Sequence, residues 1–333
     1  VRMQHYSTRF LRRTVVGGLT AVAAVALLSG VGQAAEKFPS KTIEVVTHAS
    51  AGGGTDTTAR IMMIRGRRYL KTDMVVVQKR GGGGEAAQSY ANKQPKDGHT
   101  VLALTQTHLY TIALGKSPLK IDDLVGVARA MDDPTFIVVH KDSPYKTFKQ
   151  LIEAQKTKAL TWAVAQIAGT EHIGAAQLAE AAGIPMKNIK AAAFGSGGKM
   201  VAALMSKAAD VSPLNVSESL SQIEEGVFRP LAVMGPTRLK AFPDVPTTFE
   251  HGYKVKCTTT RGYAVLKGTP QDRIDTLSKA FVKAMGHDTF GNYLKASGLD
   301  PAESVAGSKV WDAALKEEYA NAAKALKMLG LVK

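Results

Sequence analysis

Cysteine is almost missing from this chain of 333 residues, in which Cys257 stands alone. One thiol can neither close an internal disulfide nor build a cysteine-rich zinc site. Aromatic residues make up only 6%, and they are not interleaved with basic residues as a nucleic-acid surface requires. The one tight basic group, Arg65, Arg67 and Arg68, falls on the far half of an expected helix and reads as a solvated face. Acid is in deficit: 28 Asp and Glu against 43 Lys and Arg give a formal +15. That excess favours acidic partners but does not separate nucleic acid, anionic membrane and small anions. The eight histidines are scattered, and none forms His-Glu-x-x-His or another spaced metal pair. Ser196 lies in Gly195-Ser196-Gly197, not Gly-x-Ser-x-Gly, and no triad partners accompany it. Nothing here demands a catalytic residue, a metal or a cofactor. With 45% hydrophobic residues, a disordered or collagen-like chain is excluded.

The N-terminus differs from the rest. Arg2, Arg9, Arg12 and Arg13 precede an apolar run over 15–28, and Gly32-Gln33-Ala34 supplies small residues for a cleavage site. This is the layout of a secretory signal peptide over 1–34, cleaved near Ala34, which sends the protein to a periplasm. About fourteen apolar residues fall short of the ~20 that span a bilayer, and no later stretch is long and apolar enough. The Arg12-Arg13 pair keeps twin-arginine export open beside the general route. Loss of 1–34 removes four arginines and no acid, which leaves 39 basic residues against 28 acidic, or +11.

Beyond residue 34, short β-branched runs alternate with amphipathic stretches, the pattern of an α/β fold with largely parallel sheets. Strands are expected over 42–47, 74–79, 100–105, 136–140, 160–164, 189–193, 209–212 and 230–234, with an extended run over 253–266. Helices are expected over 57–70, 85–92, 148–155, 172–182, 198–206 and 218–225. Two apolar stripes at helical spacing, Ile274/Leu277/Phe281/Met285 and Trp311/Leu315/Ala322/Leu326, follow near the end. Turns at 141–144 and 267–270 could each carry the chain between lobes. The expected division is lobe 1, residues 35–140 plus 256–333, and lobe 2, residues 141–255, joined by a two-strand hinge.

The polar residues concentrate in loops that follow strands. Ala51-Gly52-Gly53-Gly54-Thr55-Asp56 lets the backbone turn tightly into a helix whose first N–H groups suit a carboxylate or phosphate; an ordinary strand-to-helix turn capped by Thr55 or Asp56 fits the same residues. Neither this run nor Arg80-Gly81-Gly82-Gly83-Gly84 meets the P-loop or dinucleotide fingerprint. Thr105-Gln106-Thr107-His108, Ala168-Gly169-Thr170-Glu171-His172, Phe194-Gly195-Ser196-Gly197-Gly198-Lys199 and Asn215-Val216-Ser217-Glu218 sit in equivalent places. Open α/β sheets bind ligands at such strand ends. Together with Lys199 and Arg261, the five loops make an anion pocket plausible. Cys257 reads as a buried structural thiol, and His172 as a structural or ligand-orienting residue.

The chain after residue 34 resembles the periplasmic solute receptors of tripartite tricarboxylate transporters, the Bug receptors. Phe38-Pro39-Ser40-Lys41, Ala51 to Asp56, Asp97-Gly98-His99-Thr100, Gly183-Ile184-Pro185, Phe194 to Gly198, Phe242-Pro243-Asp244-Val245-Pro246-Thr247, Arg261-Gly262-Tyr263-Ala264-Val265 and Lys267-Gly268-Thr269-Pro270 carry the likeness in order over some 290 residues. The resemblance implies a type II periplasmic-binding-protein fold, a two-lobed receptor that closes on its ligand and is not an enzyme. It implies that the loops Ser50, Gly53, Gly54, Thr55, Asp56 and Thr105, Thr107, His108 pinch one ligand carboxyl group. Gly169, Thr170, His172, Ser196, Gly197, Asn215 and Ser217 would face them from the second lobe.

Family ligands are mostly carboxylates: tricarboxylates such as citrate, dicarboxylates, aromatic acids, some amino acids and nicotinate. A tri- or dicarboxylate is expected here, delivered by a monomeric receptor to the membrane permease subunits, with no nucleic-acid partner. Lys199 stands where the family often has an acid, and Glu171 is an acid close to the expected anion site. Rival readings are an exported ester- or phosphate-processing enzyme, and a receptor that feeds a signalling kinase.

Overall fold

The structure, a computed structural model, describes residues 37–332; the export signal expected over 1–34 lies outside the described residues. Contacts divide the chain into a segment ending at Ser40 and a body from Lys41 to Lys333. In the segment, described over 37–40, the Phe38–Pro39 peptide is cis. All the described helices and strands belong to the body.

Three strand–helix units open it: β1 (Ile43–Thr47) with α1 (Gly54–Leu70), β2 (Met74–Gln78) with α2 (Glu85–Asn92), and β3 (Thr100–Leu104) with α3 (Gln106–Ala113). β4 (Leu124–His140) follows, then α4 (Phe148–Thr157), β5 (Leu160–Val164), α5 (Thr170–Ala182), β6 (Ile189–Ala193) and α6 (Gly197–Met205). β7 (Ser212–Asn215), α7 (Val216–Glu224) and β8 (Phe228–Val233) lead to β9 (Thr258–Leu266). The chain ends on α8 (Gln271–Met285), α9 (Asp288–Ala296), α10 (Pro301–Ser304), β10 (Ala306–Gly307) and α11 (Ser308–Met328).

The strand order β10-β4-β9-β3-β1-β2 makes a mixed sheet. β1 runs parallel to β2 and β3, and β5 parallel to β6, but β9 is antiparallel to both β3 and β4. β7, β8 and β10 are antiparallel to β4 as well. The expectation of largely parallel sheets is therefore corrected, and β4 is the cause. Only 136–140 read as strand in the sequence, because Gly126, Asp132, Asp133 and Pro134 break a β-branched pattern. In the fold those residues belong to one 17-residue strand whose register shifts at Gly126/Ala128 and Arg129/Met131. Leu124 to Pro134 pair with β9, and Thr135 to His140 pair with β7 and β8. β7 starts at Ser212 rather than 209, and β9 at Thr258 rather than 253.

Alternation along β4 sends its side chains to opposite cores. Ile137 and Val139 pack with Phe148, Leu151, Trp162 and Leu178, while Phe136 and Val138 pack with Met200, Leu204, Leu214 and Phe228. A third core gathers Val46, Leu102, Leu104, Leu124, Ala264, Trp311 and Leu315. The two apolar stripes near the C-terminus are buried at all eight positions. Trp311 donates from Nε1 to the Tyr263 carbonyl at 3.0 Å. It packs so closely on Gly262 that a Cβ there would lie 2.5 Å from the indole.

Candidate functional site

The first N–H groups of a helix have no intrahelical partner and carry partial positive charge. Four helices present these ends to one cavity. Their N-caps Gly53 (α1), Thr105 (α3), Ser196 (α6) and Asn215 (α7) all line it. Each of the four follows a strand, so the cavity lies at the carboxyl ends of β1, β3, β6 and β7, and Ala165 and Gln166 add the end of β5. Thr259 and Arg261 close it from β9.

Arg261 is the lining residue with a permanent positive charge, and it is 2% exposed. Its Nη1 pairs with the Asp133 carboxylate of β4. Nη2 donates to Asn215 Oδ1 at 3.4 Å and lies 3.8 Å from Glu218 Oε1. Burial works against this charge, but Asp133 outweighs it and holds the guanidinium protonated. Burial also pushes the Asp133 carboxyl up, against the pull of Arg261 and of Ser217, whose hydroxyl and N–H both bond to it.

Glu218 takes an unexpected position. As the third residue of α7 after Asn215, it stands where a capping glutamate would bond its own helix start. Instead its Oε1 accepts the Gly54 N–H of α1 at 2.9 Å, from 164 residues away. The approach requires glycine on both sides. A Cβ on Gly54 would lie 2.2 Å from Arg261 Nη2, and one on Gly197 would lie 1.9 Å from Glu218 Oε2. Burial raises the Glu218 carboxyl, and Arg261 and the Gly54 N–H lower it. Glu171, also on the cavity wall, is pushed up to about 7 by burial and by Glu218, against the pull of backbone N–H groups.

Two histidines set the loops. His108 Nδ1 accepts the Thr105 N–H at 3.1 Å, and His172 Nδ1 accepts the Ala168 N–H at 2.9 Å, each from the third position of its helix. Both bonds need an unprotonated Nδ1, and burial lowers both imidazoles. His48 packs edge-on against His108 at 4.3 Å and is lowered to about 4 by burial and by Arg261. These rings are neutral at pH 7. The α3 and α5 starts meet where Thr107 Oγ1 and Thr170 Oγ1 lie 3.2 Å apart.

Of the residues expected from the sequence, Gly53, Gly54, Thr55, Thr105, Thr107, Ser196, Gly197, Asn215 and Arg261 line this cavity. Ser50, Asp56, His108, Gly169, Thr170, His172, Lys199 and Ser217 do not. Asp56 instead accepts from Arg60 at 2.8 Å, from the Gly52 N–H at 3.0 Å and from Gln78 at 3.2 Å, which pins the glycine loop. Ser50 accepts from Arg80 at 3.3 Å, and Lys199 is exposed. Ser217 and His172 are occupied as described above. Thr170 lines a neighbouring cavity with Gln106, Tyr110, Cys257 and Glu318. Cys257 lies just before β9 rather than in it, and burial first, then Glu171, pushes its thiol up to about 12. His48, Ala49, Ala165, Gln166 and Thr259 line the cavity without a sequence signal of their own, and Gly195 and Glu218 reach it from loops whose other members carry the expected contacts. For Glu218 the local capping pattern hides the long-range bond.

Strand-end loops of an α/β fold that converge on one polar cavity are the arrangement of a protein that binds a small solute. Comparison with known proteins carries this to the family. Residues 59–329 match TctC, the tripartite tricarboxylate transporter family receptor. Among curated proteins, the chain is 28% identical over 297 residues to the UPF0065 protein in the gbd 5′ region of Cupriavidus necator, covering 88% of this chain and 89% of that one. It is 27% identical over 278 residues to protein BugT of Bordetella pertussis, covering 80% and 83%. Among solved structures, MatC from Rhodopseudomonas palustris with bound malate superposes with a TM-score of 0.79 at 22% identity, over 87% of this chain and 100% of that one. A second R. palustris protein, solved with adipate, gives 0.80 at 22%, over 88% and 99%. The chain belongs to the tripartite tricarboxylate transporter receptor family. Members are periplasmic solute receptors, so this protein is a receptor and not an enzyme.

Proposed function

We propose that the protein captures a small organic carboxylate in the cavity walled by Gly53, Thr105, Ser196, Asn215 and Arg261 and hands it to the membrane components of a tripartite tricarboxylate transporter. The observation that carries this reading is the convergence of four helix N-termini on buried polar walls. Oriented N–H groups and hydroxyls bind carboxylate oxygens with charge-assisted bonds about twice as strong as neutral ones. The malate and adipate held by the two R. palustris proteins are of that chemical class. A di- or tricarboxylate such as citrate is the finer reading that the family name supports.

In the same reading, 35–140 with 256–333 and 141–255 act as two lobes, and the exchange of β4's partners after Pro134 supports a joint there. A ligand that touches both lobes only when they close favours the closed form. Export through residues 1–34 belongs to this proposal too.

A thermal-shift screen of the purified receptor tests it with di- and tricarboxylates, aromatic acids, amino acids, sugars and amines. One class of carboxylate is expected to raise the melting temperature, by a margin that grows with the logarithm of its concentration over Kd. The reading fails if no carboxylate stabilises the protein while a neutral or carboxyl-free cationic solute does. Thr55→Ala with Thr107→Ala is expected to weaken the identified carboxylate at least tenfold by calorimetry, and unchanged affinity removes those two loops from the site.

A further inference from the structure

We propose that Glu218 and Glu171 select a ligand that carries a cationic nitrogen bearing N–H groups beside its carboxylate. The inference rests on the carboxylate-receptor reading and, within it, stands against the di- or tricarboxylate as the finer ligand class.

Internal carboxylates already take one N–H at two of the four helix ends. The Gly54 N–H at the start of α1 donates to Glu218, and the Ser217 N–H at the start of α7 lies 3.4 Å from Asp133 Oδ1. The starts of α3 and α6, at Thr105–Thr107 and Ser196–Gly197, line the cavity beside Thr55 of α1, and together they offer donors for one carboxylate. The guanidinium is engaged as well, since Arg261 pairs with Asp133 and lies beside Glu218. Lining residues from the described part of the chain supply no other Lys or Arg.

Acid is therefore in excess where a second ligand group would sit. A second carboxylate would come against Glu171 and Glu218 with Arg261 already paired to Asp133, and like charges repel more strongly on buried walls than in water. An ammonium reverses the sign of that interaction. Acceptors for it are present: Glu171 Oε2 is buried with no hydrogen-bond partner, as is Thr259 Oγ1, on a side chain that is 6% exposed. Arg261 Nε, on a residue 2% exposed, is a further unpartnered buried polar group at the same walls. Unpaired buried polar atoms are costly, and several of them on one cavity point to a polar ligand.

The test is titration calorimetry of the full receptor against matched pairs that differ only by an amine: propionate and β-alanine, butyrate and 4-aminobutyrate, succinate and aspartate, glutarate and glutamate. In at least one pair the amino compound is expected to bind ten times tighter or more. Glu171→Gln and Glu218→Gln, measured separately, are expected to cut that affinity tenfold or more and to remove the preference over the amine-free partner. Glutamine keeps an oxygen for the Gly54 N–H, and circular dichroism melts establish that each variant is folded. Should either fail to fold, the other variant and the wild-type pairs decide.

Equal or tighter binding of the amine-free partners in the wild type overturns the inference and leaves the carboxylate reading standing. So does a tenfold preference that both variants retain. Binding of a carboxyl-free amine such as putrescine, with no carboxylate bound, overturns the carboxylate reading instead. Binding of no probe overturns the inference, and the wider thermal-shift screen then decides the carboxylate reading.

Discussion

Gly54 carries two constraints in a single residue. Its N–H holds Glu218, and the absence of a Cβ makes room for Arg261 Nη2. Alanine is a better helix former by about 1 kcal/mol, so local propensity alone would favour Gly54→Ala. Packing decides the other way, because the added methyl would sit 2.2 Å from a guanidinium nitrogen held by Asp133. The Arg261–Asp133 pair is buried, and disturbing such a pair costs several kcal/mol. Gly54→Ala is expected to lower the melting temperature and to abolish measurable ligand binding by calorimetry. Its neighbour Gly52, whose side faces open space, serves as the control only for crowding, since its φ of +76° already demands glycine.

Helices and strands differ in how much of them the sequence displays. The stripe Ile274/Leu277/Phe281/Met285 announces α8, and all four residues are buried in it. The stripe that begins at Trp311 announces α11 in the same way. Trp311 is 2% exposed, so Trp311→Ala is expected to cost about 3–5 kcal/mol, read as a lower urea midpoint with an unchanged slope. In α3 the apolar residues Leu109 and Ile112 are too few to show a period within eight residues, and the segment reads as a polar loop. The first two-thirds of β4 are hidden because Asp132, Asp133 and Pro134 look like a turn. Asp133 is tolerable in a buried strand only through Arg261, a partner 128 residues away that no local pattern reveals. The cavity follows the same rule. Its glycine- and hydroxyl-bearing loops were legible as strand-end loops, whereas Glu218 was masked by a sequence that satisfies a local capping motif.

The pH dependence of stability belongs to the whole molecule, since opposing groups are spread across it. Glu171 and Glu318 are both raised to about 7 by burial from an ordinary 4.5. What such acids contribute is fully present below 4.5 and is lost as pH rises through 7. His48 is lowered to about 4 from 6.5, so its contribution is full above 6.5 and is lost as pH falls to about 4. His108 and His172 have the same sign. The melting temperature is therefore expected to fall on either side of a near-neutral maximum. Glu171→Gln is expected to raise it at pH 8, by up to about 3 kcal/mol in stability terms, and to leave it nearly unchanged at pH 4. A gain that is equal at both values rules out the carboxyl as its source. That a residue proposed to select the ligand also destabilises the empty fold is a familiar conflict between function and stability.

The long strand β4 also limits how this chain can change its length. Two sheets read the same backbone, with Leu124 to Pro134 set against β9 and Thr135 to His140 set against β7 and β8. A one-residue insertion or deletion near Pro134 cannot be absorbed by a loop, because there is none. It would shift one half of the strand by a single step and turn Phe136 and Val138 into the space of Ile137 and Val139. This strand takes up an odd residue only as a further bulge, like those where its register shifts at Gly126/Ala128 and Arg129/Met131, or by giving up one of its two pairings.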